Sequence, residues 1–116
     1  MRDKKENNMN LSELINYFRT GGSYQDFCRD QNLDQASQSL EIFMEQPLEL
    51  NNNLAFFEIE TTEGSTEFVK DGVRYYNVFG LSYFLEVLKE ISQSEHQDLA
   101  DRDIAELFYN HVMSKG

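Results

Sequence analysis

The spacing of the apolar residues changes twice along this chain, and this change constrains the fold more than any other feature. From Asn10 to Pro47 the apolar residues recur at helical intervals, whereas residues 54 to 79 hold short aromatic and β-branched runs typical of strands. The helical spacing returns after Gly80. This order predicts an α+β fold with three N-terminal helices, a three-stranded antiparallel meander and two C-terminal helices. The helices are expected to pack on one face of the sheet.

The first two helices are predicted from the residues at their ends. Asn10 can cap the first helix, and Gly21-Gly22 can end it because glycine accepts a left-handed conformation. Ser23 can cap a second, shorter helix, and Asn32 can end it in the same conformation.

A third helix is predicted at roughly residues 35 to 46. Asp34 can cap its start, and Pro47, the only proline, can terminate it. Its apolar stripe consists of Ala36, Leu40, Phe43 and Met44.

Residues 23 to 46 resemble the helix-turn-helix of transposase and repressor families. The matching residues are Phe27-Cys28-Arg29 in the first helix, Asn32-Leu33-Asp34 in the turn, and Gln35-Ala36-Ser37-Gln38-Ser39 in the second helix. The resemblance implies that the second helix reads DNA. That helix has no Lys or Arg to hold phosphates, however, and phosphates take half or more of the contacts in protein–DNA complexes. A plain pair of helices packed into the core is the alternative reading.

Three strands are predicted after Pro47. Residues 54 to 60 form an aromatic and β-branched run, and two further runs flank Asp71-Gly72. This dipeptide indicates a two-residue hairpin turn, because glycine supplies the positive φ that the turn requires.

Size and composition indicate one small domain. The chain has 116 residues, which predicts a single domain at 10–116 after a flexible N-terminus at 1–9. The single cysteine, Cys28, excludes an internal disulfide, and no apolar run approaches the ~20 residues that span a membrane. We therefore expect a cytoplasmic protein that does not enter a membrane.

The charge is unevenly distributed. Residues 30 to 69 contain nine acids and no Lys or Arg, so this segment carries −9 of the net charge of −11. Such a surface repels nucleic acids and acidic bilayers, because phosphate binding depends on cationic side chains. The alternative is that the acidic excess serves only solubility.

Motifs for catalysis, metals or cofactors are lacking. Cys28 follows Phe27 on the apolar side of a helix, where a buried structural thiol is expected. His96 and His111 have no partner at the spacing of a zinc site, and no glycine-rich phosphate loop is present. We predict that the chain is not an enzyme and that it uses no cofactor or metal.

The remaining feature is a set of aromatic residues among acids. Phe56-Phe57 and Tyr75-Tyr76 are pairs of neighbours on predicted strands. Neighbouring strand residues point to opposite faces, so one member of each pair must point away from the core. Outward aromatics surrounded by carboxylates are typical of protein interfaces, unless helices cover both sheet faces. The predicted partner-binding residues are Glu41, Glu45, Glu49, Phe56, Glu58, Glu60, Glu63, Glu67 and Tyr76.

In size, acidity and lack of catalytic motifs the chain is similar in kind to small bacterial toxin-immunity proteins, including those of contact-dependent growth inhibition. This resemblance implies a protein that neutralises a basic partner such as a nuclease-type toxin. Alternatives are a transcriptional regulator that binds DNA through the helix-turn-helix, or an acidic secretion chaperone.

Overall fold

Four strands and five helices make up the part of the chain that the structure describes. The structure is a computed structural model and describes residues 9–93 and 98–115, apart from the side chains of residues 92 and 115. In chain order the elements are α1 (Leu11–Arg19), α2 (Tyr24–Gln31), β1 (Leu40–Glu45), β2 (Leu54–Glu58), α3 (Ile59–Thr62), β3 (Glu67–Lys70), β4 (Val73–Gly80), α4 (Leu81–Ser92) and α5 (Asp101–Lys115).

The sheet differs from the predicted one. Its four strands are ordered β2-β1-β4-β3, and all neighbours are antiparallel. The prediction of three N-terminal helices and a three-stranded meander is therefore wrong, because residues 40–45 form β1, one of the two inner strands. Residues 35–38 form turns and bends, so no helix stands at 35–46, where the second helix of a helix-turn-helix was expected.

The misassigned segment is apolar on both sides. Leu40, Ile42 and Met44 are buried on one face of the sheet, and Phe43 is buried on the other. Leu40, Phe43 and Met44 also fall at i, i+3 and i+4, which is the spacing of a helix face. Periodicity alone therefore cannot distinguish the strand from a helix here.

Several of the predicted local signals are present. The Asn10 side chain accepts a hydrogen bond from the backbone of Glu13, and the Glu13 side chain accepts one from the backbone of Asn10. The Ser23 side chain caps α2 by accepting from the backbone N–H of Asp26. Asp71 and Gly72 have φ values of 54° and 82°, as a two-residue hairpin turn requires.

The main core lies between one face of the sheet and the helices. We call this the helix-covered face, and on β1 it carries Leu40, Ile42 and Met44. These side chains belong to one buried cluster with residues from α1, α2, α4 and α5, among them Leu14, Ile15, Phe27, Phe84, Leu88, Ile104 and Phe108. Within the described residues no helix is both long and apolar enough to cross a bilayer.

Of the N-terminal segment predicted to be flexible, 1–9, the structure describes only Met9. Its carbonyl oxygen accepts a hydrogen bond of 2.8 Å from the backbone N–H of Leu54. Residues 1–8 lie outside the described part of the chain.

Candidate protein-binding surface

The second face of the sheet carries four aromatic side chains, one from each strand. We call it the aromatic face, and the four residues are Phe43, Phe57, Phe68 and Tyr75. The ring of Phe57 lies 5.3 Å from Phe43, 4.8 Å from Phe68 and 5.9 Å from Tyr75, measured between centroids. Phe43 and Phe57 are buried, whereas Phe68 and Tyr75 are half-buried. The aromatic face is therefore a second, smaller core whose edge reaches solvent.

Two kinds of charge border this cluster. The Nζ atom of Lys70 lies 5.7 Å from the centroid of the Phe57 ring, in cation–π range. Burial, and secondarily the carboxylates of Glu45 and Asp71, raise the pKa of the Tyr75 hydroxyl. Tyr75 is therefore neutral at physiological pH and can donate or accept a hydrogen bond.

Three of the predicted glutamates stabilise the turn at residues 34–39. Glu58 accepts a hydrogen bond of 2.6 Å from the backbone N–H of Asp34. Glu60 accepts from the Ser37 hydroxyl at 2.6 Å and from the backbone N–H of Gln38 at 3.1 Å.

Glu41 is the third glutamate at this turn, and its carboxylate accepts hydrogen bonds from the Ser39 hydroxyl and from the Asn77 side-chain amide. The hydrogen bonds from Ser37 and Gln38 lower the pKa of Glu60. These carboxylates hold in place the turn that leads into β1.

The other four predicted glutamates lie elsewhere. Glu45 ends β1 on the aromatic face, and Glu49 is exposed in the connection that follows. Glu63 is exposed at the end of α3, and Glu67 is exposed at the start of β3. The seven glutamates therefore lie in different parts of the fold, three of them at the turn at 34–39 and four elsewhere.

None of these seven glutamates forms an ion pair with a lysine or arginine of residues 9–93 or 98–114. The arginines that form ion pairs there use other acids: Arg19 pairs with Asp101, Arg29 with Asp26 and Asp30, and Arg102 with Glu106. The acidic charge of residues 41–67 is thus left without a cationic partner in the described part of the chain.

The two predicted aromatic anchors lie on the helix-covered face. The ring of Phe56 packs edge-on against Phe27 with centroids 4.9 Å apart, and Tyr76 packs against the main core. Their neighbours Phe57 and Tyr75 occupy the aromatic face instead. The alternation of strand side chains indicates that the two residues of each pair lie on opposite faces of the sheet. It does not indicate which residue lies on which face.

A groove that the sequence did not indicate follows the outer edge of β2. Two adjoining cavities of about 360 and 400 Å³ share Gln31, Phe56, Phe57 and Lys70 in their walls. One wall is the end of α2 with the residues after it, and the other is the hairpin of β3 and β4. Tertiary packing brings these distant segments together, so no local sequence pattern could reveal the groove.

A second groove lies between α4 and α5. It encloses about 190 Å³ and is lined by Tyr83, Val87, Ile91, Leu107, Phe108 and His111. Tyr83 and Leu107 are each almost half exposed, although helical spacing alone would place Leu107 in the core.

The residues considered for catalysis or metal binding do not assemble into a site in the described chain. Cys28 is buried, and burial raises the pKa of its thiol, which disfavours the reactive thiolate. Within the described residues no three His, Cys, Asp or Glu side chains are grouped so that they could hold a metal ion. His96 lies outside those residues.

Comparison with known proteins identified no relative of this chain. No protein-family model matches the chain, and no significant match was found among curated proteins or solved structures.

Proposed function

We propose that this chain is a small acidic protein that binds and neutralises a basic protein, in the manner of an immunity protein acting on a nuclease-type bacterial toxin. One observation carries the proposal. The seven glutamates between residues 41 and 67 have no lysine or arginine partner among the described residues, whereas Arg19, Arg29 and Arg102 pair with other acids. Carboxylates left unbalanced in this way attract a cationic protein over long distances.

A nuclease is a fitting partner because it must be cationic to hold phosphates. Carboxylates of an inhibitor can take the place of those phosphates and block the site. Glu49, Glu60, Glu63 and Glu67 are exposed and are the best placed to touch such a partner, whereas Glu41, Glu45 and Glu58 are half-buried. The half-buried group contributes to the field more than to direct contacts.

The experiment is growth protection by co-expression with a basic, toxic protein encoded beside this chain, followed by stopped-flow association of the purified pair. We expect protection, and an association rate that falls by roughly tenfold or more as salt rises, because salt screens electrostatic steering. A rate that does not change with salt contradicts the proposal.

Charge-reversal variants locate the attraction. Glu49→Lys and Glu63→Lys should each slow association more than Glu90→Lys, which makes the same change on the exposed surface of α4. Equal effects of all three would mean that only the net charge matters.

A gel-shift assay at low salt addresses the DNA-binding alternative. Residues 35–46 form a turn and β1, so a reading helix is missing from that segment. Specific retention of a DNA fragment would replace the present proposal.

A further inference from the structure

The strand β2 lies at one edge of the sheet, and its backbone groups divide between the two sides. The backbone N–H of Glu45 donates to the carbonyl of Asn53, and that of Ile59 donates to the carbonyl of Ser39. Between these two bonds the strands pair without a bulge, so Ala55 and Phe57 direct their backbone groups towards β1. The backbone groups of Leu54 and Phe56 consequently face away from the sheet.

This outer side already binds backbone in one place. The N–H of Leu54 donates to the carbonyl of Met9 at 2.8 Å. The next outward groups, the N–H and C=O of Phe56, have no hydrogen-bond partner among the described residues. An edge strand with unpaired groups of this kind is a template for another extended chain.

Space for such a chain is present along the edge. The two cavities at β2, about 360 and 400 Å³, reach from Leu54 at one end to Glu58 at the other. They lie between the segment Gln31–Leu33 and the hairpin residues Lys70–Val73. An extended segment can therefore lie beside β2 with a wall on either side.

The two sides of the groove require different side chains. In an antiparallel pair, opposite residues share a face. Side chains opposite Phe56 and Glu58 would fall on the helix-covered side, beside the Glu58 carboxylate and its neighbour Asp34. Side chains opposite Ala55 and Phe57 would fall on the aromatic face, where Phe68 offers apolar contact and Lys70 repels a cation.

We propose that β2 binds an extended segment of the basic partner as an antiparallel fifth strand, in which basic residues opposite Phe56 and Glu58 alternate with apolar residues opposite Ala55 and Phe57. This inference rests on the proposed function for the basic nature of the partner. It adds the binding mode, in which main-chain hydrogen bonds supply affinity and alternate side chains supply specificity.

The test uses the full chain and a short fluorescent peptide in which lysine and valine alternate, together with two methylated copies. One copy carries an N-methyl group on every lysine, and the other carries one on every valine. All three peptides have the same charge, so electrostatic attraction alone cannot separate them. Fluorescence anisotropy measures their affinity.

The two methylated peptides should behave differently. The lysines lie opposite Phe56 and direct their N–H groups at β2, so N-methyl groups on the lysines remove the ladder bonds that the peptide donates and crowd the edge. We expect this peptide to bind about tenfold more weakly or worse, because several hydrogen bonds are lost. Methylated valines face away from β2 and should leave the affinity nearly unchanged.

Hydrogen exchange gives a second readout at the proposed contact. The unmethylated peptide should slow exchange of the Phe56 amide by roughly tenfold or more, because the amide becomes hydrogen-bonded. A peptide alternating glutamate and valine should give no such protection.

Three outcomes would overturn the inference. Equal binding of both methylated peptides excludes strand addition, and so does a failure of all the lysine peptides to bind. Growth protection by the intact pair is a separate test of the proposed function. Protection of the Phe56 amide that is already present without peptide means that another segment of the chain or a second copy occupies the edge.

Discussion

The rings of Phe57 and Phe68 lie 4.8 Å apart, although the two residues belong to strands at opposite edges of the sheet. Neighbouring strands are about 4.8 Å apart, so in a flat four-stranded sheet these edges would be roughly 14 Å apart. The short ring distance indicates that the sheet curls towards the aromatic face. This curl encloses Phe43, which is fully buried, and creates the groove beside β2.

The cluster around Phe68 is therefore expected to stabilise the curled sheet. Phe68→Ala should lower the free energy of unfolding by roughly 2 kcal/mol, somewhat less than the 3–5 kcal/mol typical of a fully buried phenylalanine. Val69→Ala is the matched control, since the Val69 side chain is 58% exposed and should change stability by no more than about 0.5 kcal/mol. Urea unfolding measures both, and equal losses would show that the cluster contributes nothing specific.

The sequence predicted the α+β class and the elements with strong end signals, but not the arrangement of helices and strands. Asn10, Ser23 and Gly72 act locally, through caps and a turn, so their roles could be assigned from neighbouring residues. The segment Leu40–Glu45 could not be assigned in this way, because it is buried on both faces and lies between two partner strands. Its structure is decided by residues far away in the chain.

The sequence predicts the acidic charge of the candidate surface, but not the positions of its carboxylates in the fold. The deficit of Lys and Arg between residues 30 and 69 can be read directly, and Glu41 to Glu67 indeed lack such partners among the described residues. The roles of Glu58 and Glu60 as acceptors for the turn at 34–39 depend on β2 lying beside that turn. The prediction of a helix at residues 35–46 excludes this turn, so these hydrogen bonds could not be predicted from the sequence.

The carboxylate of Glu60 should make stability depend on pH. Its pKa is lowered in the folded protein, from an ordinary value of 4.5, by hydrogen bonds from Ser37 and Gln38. A lowered pKa stabilises the fold fully above the ordinary value, and this stabilisation is lost as pH falls through the folded-state pKa. Glu60→Gln should therefore be less stable than the native chain above about pH 5, and the difference should shrink as the pH falls below the ordinary value of 4.5.

Glu63→Gln is the control for this pH dependence. Glu63 is also exposed, and its carboxylate accepts no hydrogen bond within the described residues. Thermal unfolding followed across acid to neutral pH should give parallel curves for this variant and the native chain. A constant difference between Glu60→Gln and the native chain at every pH would contradict the assigned cause.

An ion pair between α1 and α5 should contribute measurably to stability. Arg19 donates to the carboxylate of Asp101 at 2.9 Å and to the carbonyl of Leu99 at 2.8 Å, and its side chain is only 22% exposed. Arg19→Met should lower the free energy of unfolding by about 1–3 kcal/mol, because charge-assisted bonds in a half-buried site are lost. Arg102→Met removes a far more exposed pair with Glu106 and should cost at most about 0.5 kcal/mol. Similar losses in urea unfolding would argue against the bridge.

The turn that joins β3 to β4 should depend on the glycine at position 72. Gly72 has a φ of 82°, which strains any residue with a Cβ atom, although the space around it is open. Gly72→Ala should therefore destabilise the hairpin by about 1 kcal/mol through backbone strain alone. Asp71→Asn is the control, because asparagine tolerates the φ of 54° at that position. Gly72→Ala should also speed hydrogen exchange in the edge strand β3, which pairs with β4, more than in the inner strand β1. Uniform acceleration across the sheet would mean that the hairpin does not open on its own.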